Sequence, residues 1–214
     1  MMKYIDKIYA LQHRSPGIFG EDEATKYAIF LPLIRVKEEI HVLFEVRAHH
    51  LRRQPGEICF PGGKIDKVDD HAKAAAIRET LEELNLHSKD VSIVAPLDIM
   101  VGYGQIIEPF VGEICQDVNN IFPNKDEVEE IFTVPLDYFM DTKPEKYLVE
   151  LHPHPSVDFP FHYIPNGKKY NWRMRGINEL FYEYNGRVIW GLTAKILYHF
   201  VQLVQKSKNN NKLV

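Results

Sequence analysis

Between Gly62 and Leu86 the chain reads GGKIDKVDDHAKAAAIRETLEELNL, and four of its side chains could do chemistry together: Arg78, Glu79, Glu82 and Glu83. Residues three and four apart share one face of a helix, so the three glutamates project toward whatever lies before the Gly62-Gly63 turn. Carboxylates this close repel one another unless a cation sits among them. Hard divalent cations take carboxylate and carbonyl oxygens, and Mg²⁺ commonly joins a few carboxylates to substrate phosphates. The cluster therefore implies Mg²⁺ or Mn²⁺ and a phosphorylated ligand. A solvated acidic helix face would show the same spacing. Against that, no Lys or Arg follows Glu79 through Leu86 to make the usual i,i+4 pairs. Arg78, four residues before Glu82, is placed to orient that carboxylate, and the alanines at 72 and 74–76 let the helix sit close to a sheet.

The elements around this helix are mostly strands. Tyr27 to Val36 and Ile40 to Val46 read as a pair joined by a turn at Lys37, Glu38 and Glu39. Glu57 to Phe60 reads as a short strand leading into the glycine turn. Val91 to Met100 and Ile106 to Ile114 form another strand pair across Gly102 and Gly104, and Glu129 to Val134 hands over at Pro135 to a short helix. Asn185-Gly186 marks a hairpin within Phe181 to Ile189, and Trp190 to Val204 carries apolar residues at helical spacing. At the N-terminus, residues 1–12 predict a short helix with Ile5, Ile8 and Leu11 on one face. Pro144 to Gly167 is rich in Pro and His; His152, His154 and His162 lack the partners of a zinc site and are expected to brace a pocket or face water. Strands flanking a central helix, followed by a terminal helix, predict an α/β sandwich with a mixed sheet covered on both faces.

With 214 residues, 45% hydrophobic and 26% charged, the chain suits one domain over residues 1–206, with a frayed polar tail over 207–214. A net charge of -4 argues against extended nucleic-acid binding. Apolar runs are strand-length, so no membrane span is expected. The start lacks the order of a secretory signal, the end reads Lys-Leu-Val rather than a peroxisomal Ser-Lys-Leu, and Cys59 and Cys115 are the only cysteines. A reducing cytoplasm is the default, with both thiols expected to be buried in strands.

Gly63, Arg78-Glu79 and Glu82-Glu83 together resemble the signature of the Nudix hydrolases. The spacing from Gly63 to Arg78 is one residue longer than usual, so the first acidic position falls on Asp69 counted from the glycine or on Asp70 counted back from the arginine. Thr80 replaces an aliphatic residue, and Asn85 replaces a late glycine whose left-handed conformation Asn also tolerates. Upstream, Arg47-Ala48, Arg52, Gly56 and Phe60-Pro61-Gly62-Gly63 resemble the additional motif of the coenzyme A pyrophosphatase subfamily. The resemblance implies a Nudix-type α/β/α sandwich and divalent-metal-dependent hydrolysis of coenzyme A or its derivatives to 3',5'-ADP and 4'-phosphopantetheine. It also leaves open another nucleoside diphosphate derivative, such as NADH, ADP-ribose or a capped RNA end, and a non-catalytic ligand sensor.

Under that resemblance the metal ligands are Glu79 and Glu83, with Glu82 and the carbonyl of Gly63. The catalytic group is Glu82 or, from a later loop, Glu127, with Arg78 as the orienting partner. Arg47, Arg52 and Arg53, with Gly62, are the candidates to bind substrate phosphates by bidentate hydrogen bonds. Phe60, Tyr103 and Phe110 either border the site or belong to the core. The implied partner is a small nucleotide, and a homodimer is an open expectation.

Overall fold

The computed structural model describes residues 4–210. Its centre is β1 (Thr25–Val36), which pairs along one side, in parallel, with β7 (Gln105–Ile114). On its other side β1 meets two strands in succession, antiparallel to both: β4 (Gly62–Lys64) near its start and β2 (Glu39–Arg47) near its end. β2 continues the sheet to β3 (Ile58–Cys59) and β8 (Val128–Pro135), while β5 (Val91–Pro96) and β6 (Met100–Gly102) both pair with β7. Eight strands of mixed direction result.

Alternation along β1 explains why both faces of this sheet are covered. Ala28, Phe30 and Ile34 pack under α2 (Ala72–Leu84), against Ala72, Ala75, Ala76 and Leu84. Ile29, Leu31 and Leu33 face the opposite way, into a larger core made with α3 (Leu136–Asp141) and α4 (Gly191–Asn210). There Phe44 stacks on Phe60 and Phe132 at centroid distances of 5.1 and 5.3 Å and meets Phe139 edge-on at 5.9 Å. The α/β/α arrangement with a mixed sheet is as expected from the sequence.

A second sheet was not expected. β9 (Glu145–Leu151), β10 (Arg175–Tyr184) and β11 (Arg187–Trp190) form an antiparallel trio, with Leu180, Tyr182 and Ile189 buried against the larger core. The Asn185-Gly186 hairpin is present, but β10 begins at Arg175, six residues before the expected Phe181. β9 shows no apolar alternation because it is exposed on both faces.

The expected strand from Val91 to Met100 is broken in two, β5 ending at Pro96 and β6 beginning at Met100; within β5 the register against β7 shifts between Ile93 and Ala95 and leaves Val94 exposed. At the N-terminus α1 (Ile5–Tyr9) is followed by a 3₁₀ turn to His13, and Ile5, Ile8 and Leu11 are exposed rather than packed. At the other end α4 continues through residues 207–210 of the expected tail; residues 211–214, like 1–3, lie outside the described residues. Cys59 sits partly buried in β3, whereas Cys115, just past the end of β7, is exposed rather than buried. Among the described residues no helix is long and apolar enough to cross a membrane.

Candidate functional site

The glycine turn is built by close approach. A Cβ on Gly62 would lie 2.4 Å from the Ala28 carbonyl oxygen, and Gly62 has φ of 151°, so this position where β4 meets β1 accepts glycine alone. At Gly63 the obstacle is a side chain: a Cβ there would lie 2.3 Å from the carboxyl carbon of Glu79. The turn and the helix are thus pressed together at the glutamates.

α2 begins at His71, whose Nδ1 accepts from the Ala74 amide, and ends at Asn85 in the left-handed conformation with φ of 50°. Within it, Arg78 is held from several sides. Its Nε and Nη2 donate to the two oxygens of Asp69 at 2.9 and 2.8 Å, Nη1 donates to Glu79 Oε1 at 2.7 Å, and Nη2 also reaches the Lys64 carbonyl at 3.3 Å. The fork fits the carboxylate in bidentate fashion. Of the two aspartates the sequence left open, Asp69 is the one engaged, and the Arg78 guanidinium holds its carboxyl down at about 2.

The three signature glutamates separate by depth. Glu83 is buried, its Oε2 accepting from the Gly62 amide at 2.9 Å, and burial together with neighbouring Glu45 pushes its carboxyl up to about 10. Glu79 is half-buried against Gly63 and Arg78, and burial raises it too. Glu82 stands apart: its side chain is 56% exposed, lies 3.6 Å from Arg78, and takes no part in lining the cavity in front of the helix.

That cavity, of about 1010 Å³, is lined by Glu79, Glu83 and Gly63 on one side and by Glu127 from the segment before β8. The sequence candidate Glu127 is therefore brought to the signature glutamates. Arg47 and Arg53 also line it, with Arg47 Nε 3.4 Å from the Arg53 carbonyl, whereas Arg52 does not. Phe60 and Tyr103 border it, and Phe110 is packed under α2 instead. His152, His154 and His162 are exposed and lie away from it.

Two contributions went unseen in the sequence. The second sheet and α4 supply a wall that includes Ile177, Trp190 and Leu192, with Lys195 donating to Glu179 at 2.8 Å. Beneath the floor lies Glu45, 1% exposed, whose Oε1 accepts from the Cys59 thiol at 3.2 Å while Oε2 has no partner. Burial pushes Glu45 up to about 7, and Glu45 in turn adds to the rise of Glu83. In the sequence Glu45 was one acidic residue within an apolar strand, which carries no signal.

Glu79, Glu83, Glu127 and the carbonyl of Gly63 make an oxygen-rich donor set suited to a hard divalent cation. The crowding of buried carboxyl groups, with one oxygen of Glu45 lacking a partner, is chemically consistent with such a partner. Glu79 is turned to Arg78 and Glu83 to the Gly62 amide, and among the described residues no three Asp, Glu, His or Cys side chains converge on one point. The expected convergence of Glu79, Glu82 and Glu83 is thus not the arrangement seen.

The chain resembles several known proteins. The chain is 34% identical over 174 residues to the peroxisomal coenzyme A diphosphatase NUDT7 of Mus musculus, covering 81% of this chain and 67% of that one. It is 31% identical over 200 residues to an uncharacterized Nudix hydrolase, NudL, of Photorhabdus laumondii, covering 92% and 94%. A solved MutT/nudix family protein from Enterococcus faecalis superposes with a TM-score of 0.48 at 12% identity, over 95% of this chain and 70% of that one. Since the NUDIX domain itself matches residues 25–152, which hold the glycine turn, α2 and Glu127, this chain belongs to the Nudix hydrolase family.

Proposed function

We propose that this enzyme hydrolyses the pyrophosphate of coenzyme A or an acyl-coenzyme A, giving 3',5'-ADP and 4'-phosphopantetheine or its acyl form. The observation that carries this reading is the placement of the Arg47 to Gly63 segment: the end of β2 and the loop that follows it set Arg47 and Arg53 in one cavity with Glu79, Glu83 and Glu127. Similarity to the mouse protein named as a coenzyme A diphosphatase supports the same substrate class. The cavity is large by the standards of ligand sites, and it pairs a charged end with an apolar wall at Ile177, Trp190 and Leu192. A substrate with a polyanionic head and a long, mostly uncharged arm suits both parts.

Glu79, Glu83 and the Gly63 carbonyl would hold Mg²⁺ or Mn²⁺, which when bound neutralises phosphate charge and makes water a stronger nucleophile near neutral pH. The chain's own groups do the rest. Arg78, clamped by Asp69, holds Glu79 in place. Arg47 and Arg53 bind phosphate oxygens and fix the pyrophosphate in line for attack. Glu127, at the cavity wall, accepts a proton from the water whose oxygen bonds to one phosphorus, while that phosphorus loses its bond to the bridging oxygen and the other phosphate leaves with the electron pair. Glu82 is left at the rim, so Glu127 is the better placed of the two candidate bases.

Purified protein with Mg²⁺ or Mn²⁺ is incubated with coenzyme A, acyl-coenzyme A, NADH, ADP-ribose and capped RNA, and products are separated by chromatography. The expected result is the highest kcat/KM for a coenzyme A compound. An equal or higher value for NADH or ADP-ribose would overturn the substrate assignment while leaving the hydrolase intact.

A further inference from the structure

The second sheet ends in a strand whose outer edge is open. β9 pairs with β10 on one side, and among the described residues no strand pairs with its other side. An open edge presents a row of backbone donors and acceptors ready to pair with another strand, and proteins usually shorten, charge or cover such an edge. Here it is seven residues long and carries Tyr147, Leu148 and Val149 at 56, 63 and 42% exposure.

The sequence of this edge, Glu145-Lys146-Tyr147-Leu148-Val149-Glu150-Leu151, is complementary to itself in one antiparallel register. When two copies meet about a two-fold axis through Leu148, each Lys146 faces Glu150 of the second copy and each Tyr147 faces Val149 of the second copy. Opposite charges directly across an antiparallel pair stabilise it, as do aromatic and β-branched partners. A two-fold antiparallel pair sets one residue against itself, and the neighbouring registers, about Tyr147 or about Val149, put Lys146 opposite Leu148 or His152 in place of a carboxylate. The charge pattern therefore favours the register about Leu148. A two-fold antiparallel contact also closes on itself, so it yields a dimer and not a filament.

We infer that β9 is a dimerisation edge, and that two copies of this chain join through it into one six-stranded antiparallel sheet. The dimer bears on the site. On β10, Ile177 and Glu179 line the cavity, and their cross-strand partners on β9 are Val149 and Tyr147. These residues share one face of the sheet, so Tyr147 and Val149 of the second copy extend the face that walls the cavity. Each cavity then opens onto a sheet surface built by both chains. Seven residues of strand bury a modest area, which implies a reversible dimer with a dissociation constant on the order of micromolar.

The test is sedimentation equilibrium of the full chain over a range of concentrations. A concentration-dependent rise from 25.0 kDa toward twice that mass is expected, and a monomer throughout overturns the inference. Lys146→Glu should shift the equilibrium to monomer, and the charge swap Lys146→Glu with Glu150→Lys should restore the dimer. Circular dichroism shows whether each variant keeps its fold. A dimer that persists in folded Lys146→Glu, or a folded charge swap that stays monomeric, places the contact elsewhere and rejects β9 as the edge.

Discussion

At the scale of single residues the site is defined by how negative charge is distributed in depth. Arg78 satisfies Asp69 and Glu79 at its exposed end, whereas Glu83 and Glu45 lie below with few donors between them. Both buried carboxyls titrate above their ordinary value of 4.5, Glu45 at about 7 and Glu83 at about 10, so the folded protein holds protons that the unfolded chain has lost. Their contribution is complete below the unfolded value and is lost as pH rises through those folded values. Asp69 has the opposite sign, since its contribution is present above 3.8 and lost as pH falls toward about 2. Chelator-treated protein should therefore melt at its highest temperature at about pH 5 and at progressively lower temperatures toward pH 8. Glu45→Gln should flatten that decline and raise the melting temperature at pH 8; a Tm that instead climbs from pH 5 to 8 in the wild type contradicts the assignment. For activity, Glu83→Gln should lower kcat roughly 10²- to 10³-fold, the scale of losing one electrostatic stabiliser, with far-ultraviolet circular dichroism unchanged. Undiminished turnover would show that Glu83 does not hold the cation. The signature glutamates were legible because helical spacing alone groups them. Their separation into buried, half-buried and exposed was not, because depth depends on which side of α2 the sheet lies.

Among the elements, α2 matters most, and its ends show how much local chemistry can be read in advance. Asn85 was expected to take the left-handed conformation in place of glycine, and it does so, with its side-chain amide also donating to the Phe122 carbonyl at 2.9 Å. Asn85→Gly should change stability by only a few tenths of a kcal/mol, a lost hydrogen bond offset by relief at positive φ. Asn85→Val, which is strained at φ of 50°, should cost about 1–2 kcal/mol in urea unfolding. Equal stability of the two variants would mean that the cap conformation has relaxed. The Asn185-Gly186 hairpin was equally legible, since its turn chemistry is complete within a few residues. β9 was not: neither of its faces is buried, so it lacks the period-two pattern, and only pairing with β10 makes it a strand. The bulge inside β5 escaped notice for a related reason. A bulge at Val94 follows from the register against β7, which lies elsewhere in the chain.

For the whole molecule, stability rests on one sheet buried on both faces, with the aromatic cluster around Phe44 joining β2, β8 and α3 to Phe60 just after β3. Phe44→Ala should destabilise by about 3–5 kcal/mol, because the rings of Phe60, Phe132 and Phe139 cannot all close the cavity. A cost below 1 kcal/mol in chemical denaturation would show that the cluster repacks. Because Phe60 also borders the cavity, the same variant should raise KM for substrate as well. By itself the sequence determined the central strands, the acidic helix and its Asn85 cap, and a cation and phosphate chemistry near Gly62-Gly63, since each follows from periodicity, turn chemistry or charge within a short stretch. Only the tertiary structure decided that Asp69 is the partner of Arg78, that Glu127 reaches the cavity while Glu82 does not, and that Glu45 is buried below it. It alone also placed Ile177, Trp190 and Lys195 across from the glutamates. Those outcomes are set by contacts between segments far apart along the chain, and local residue patterns carry no record of them.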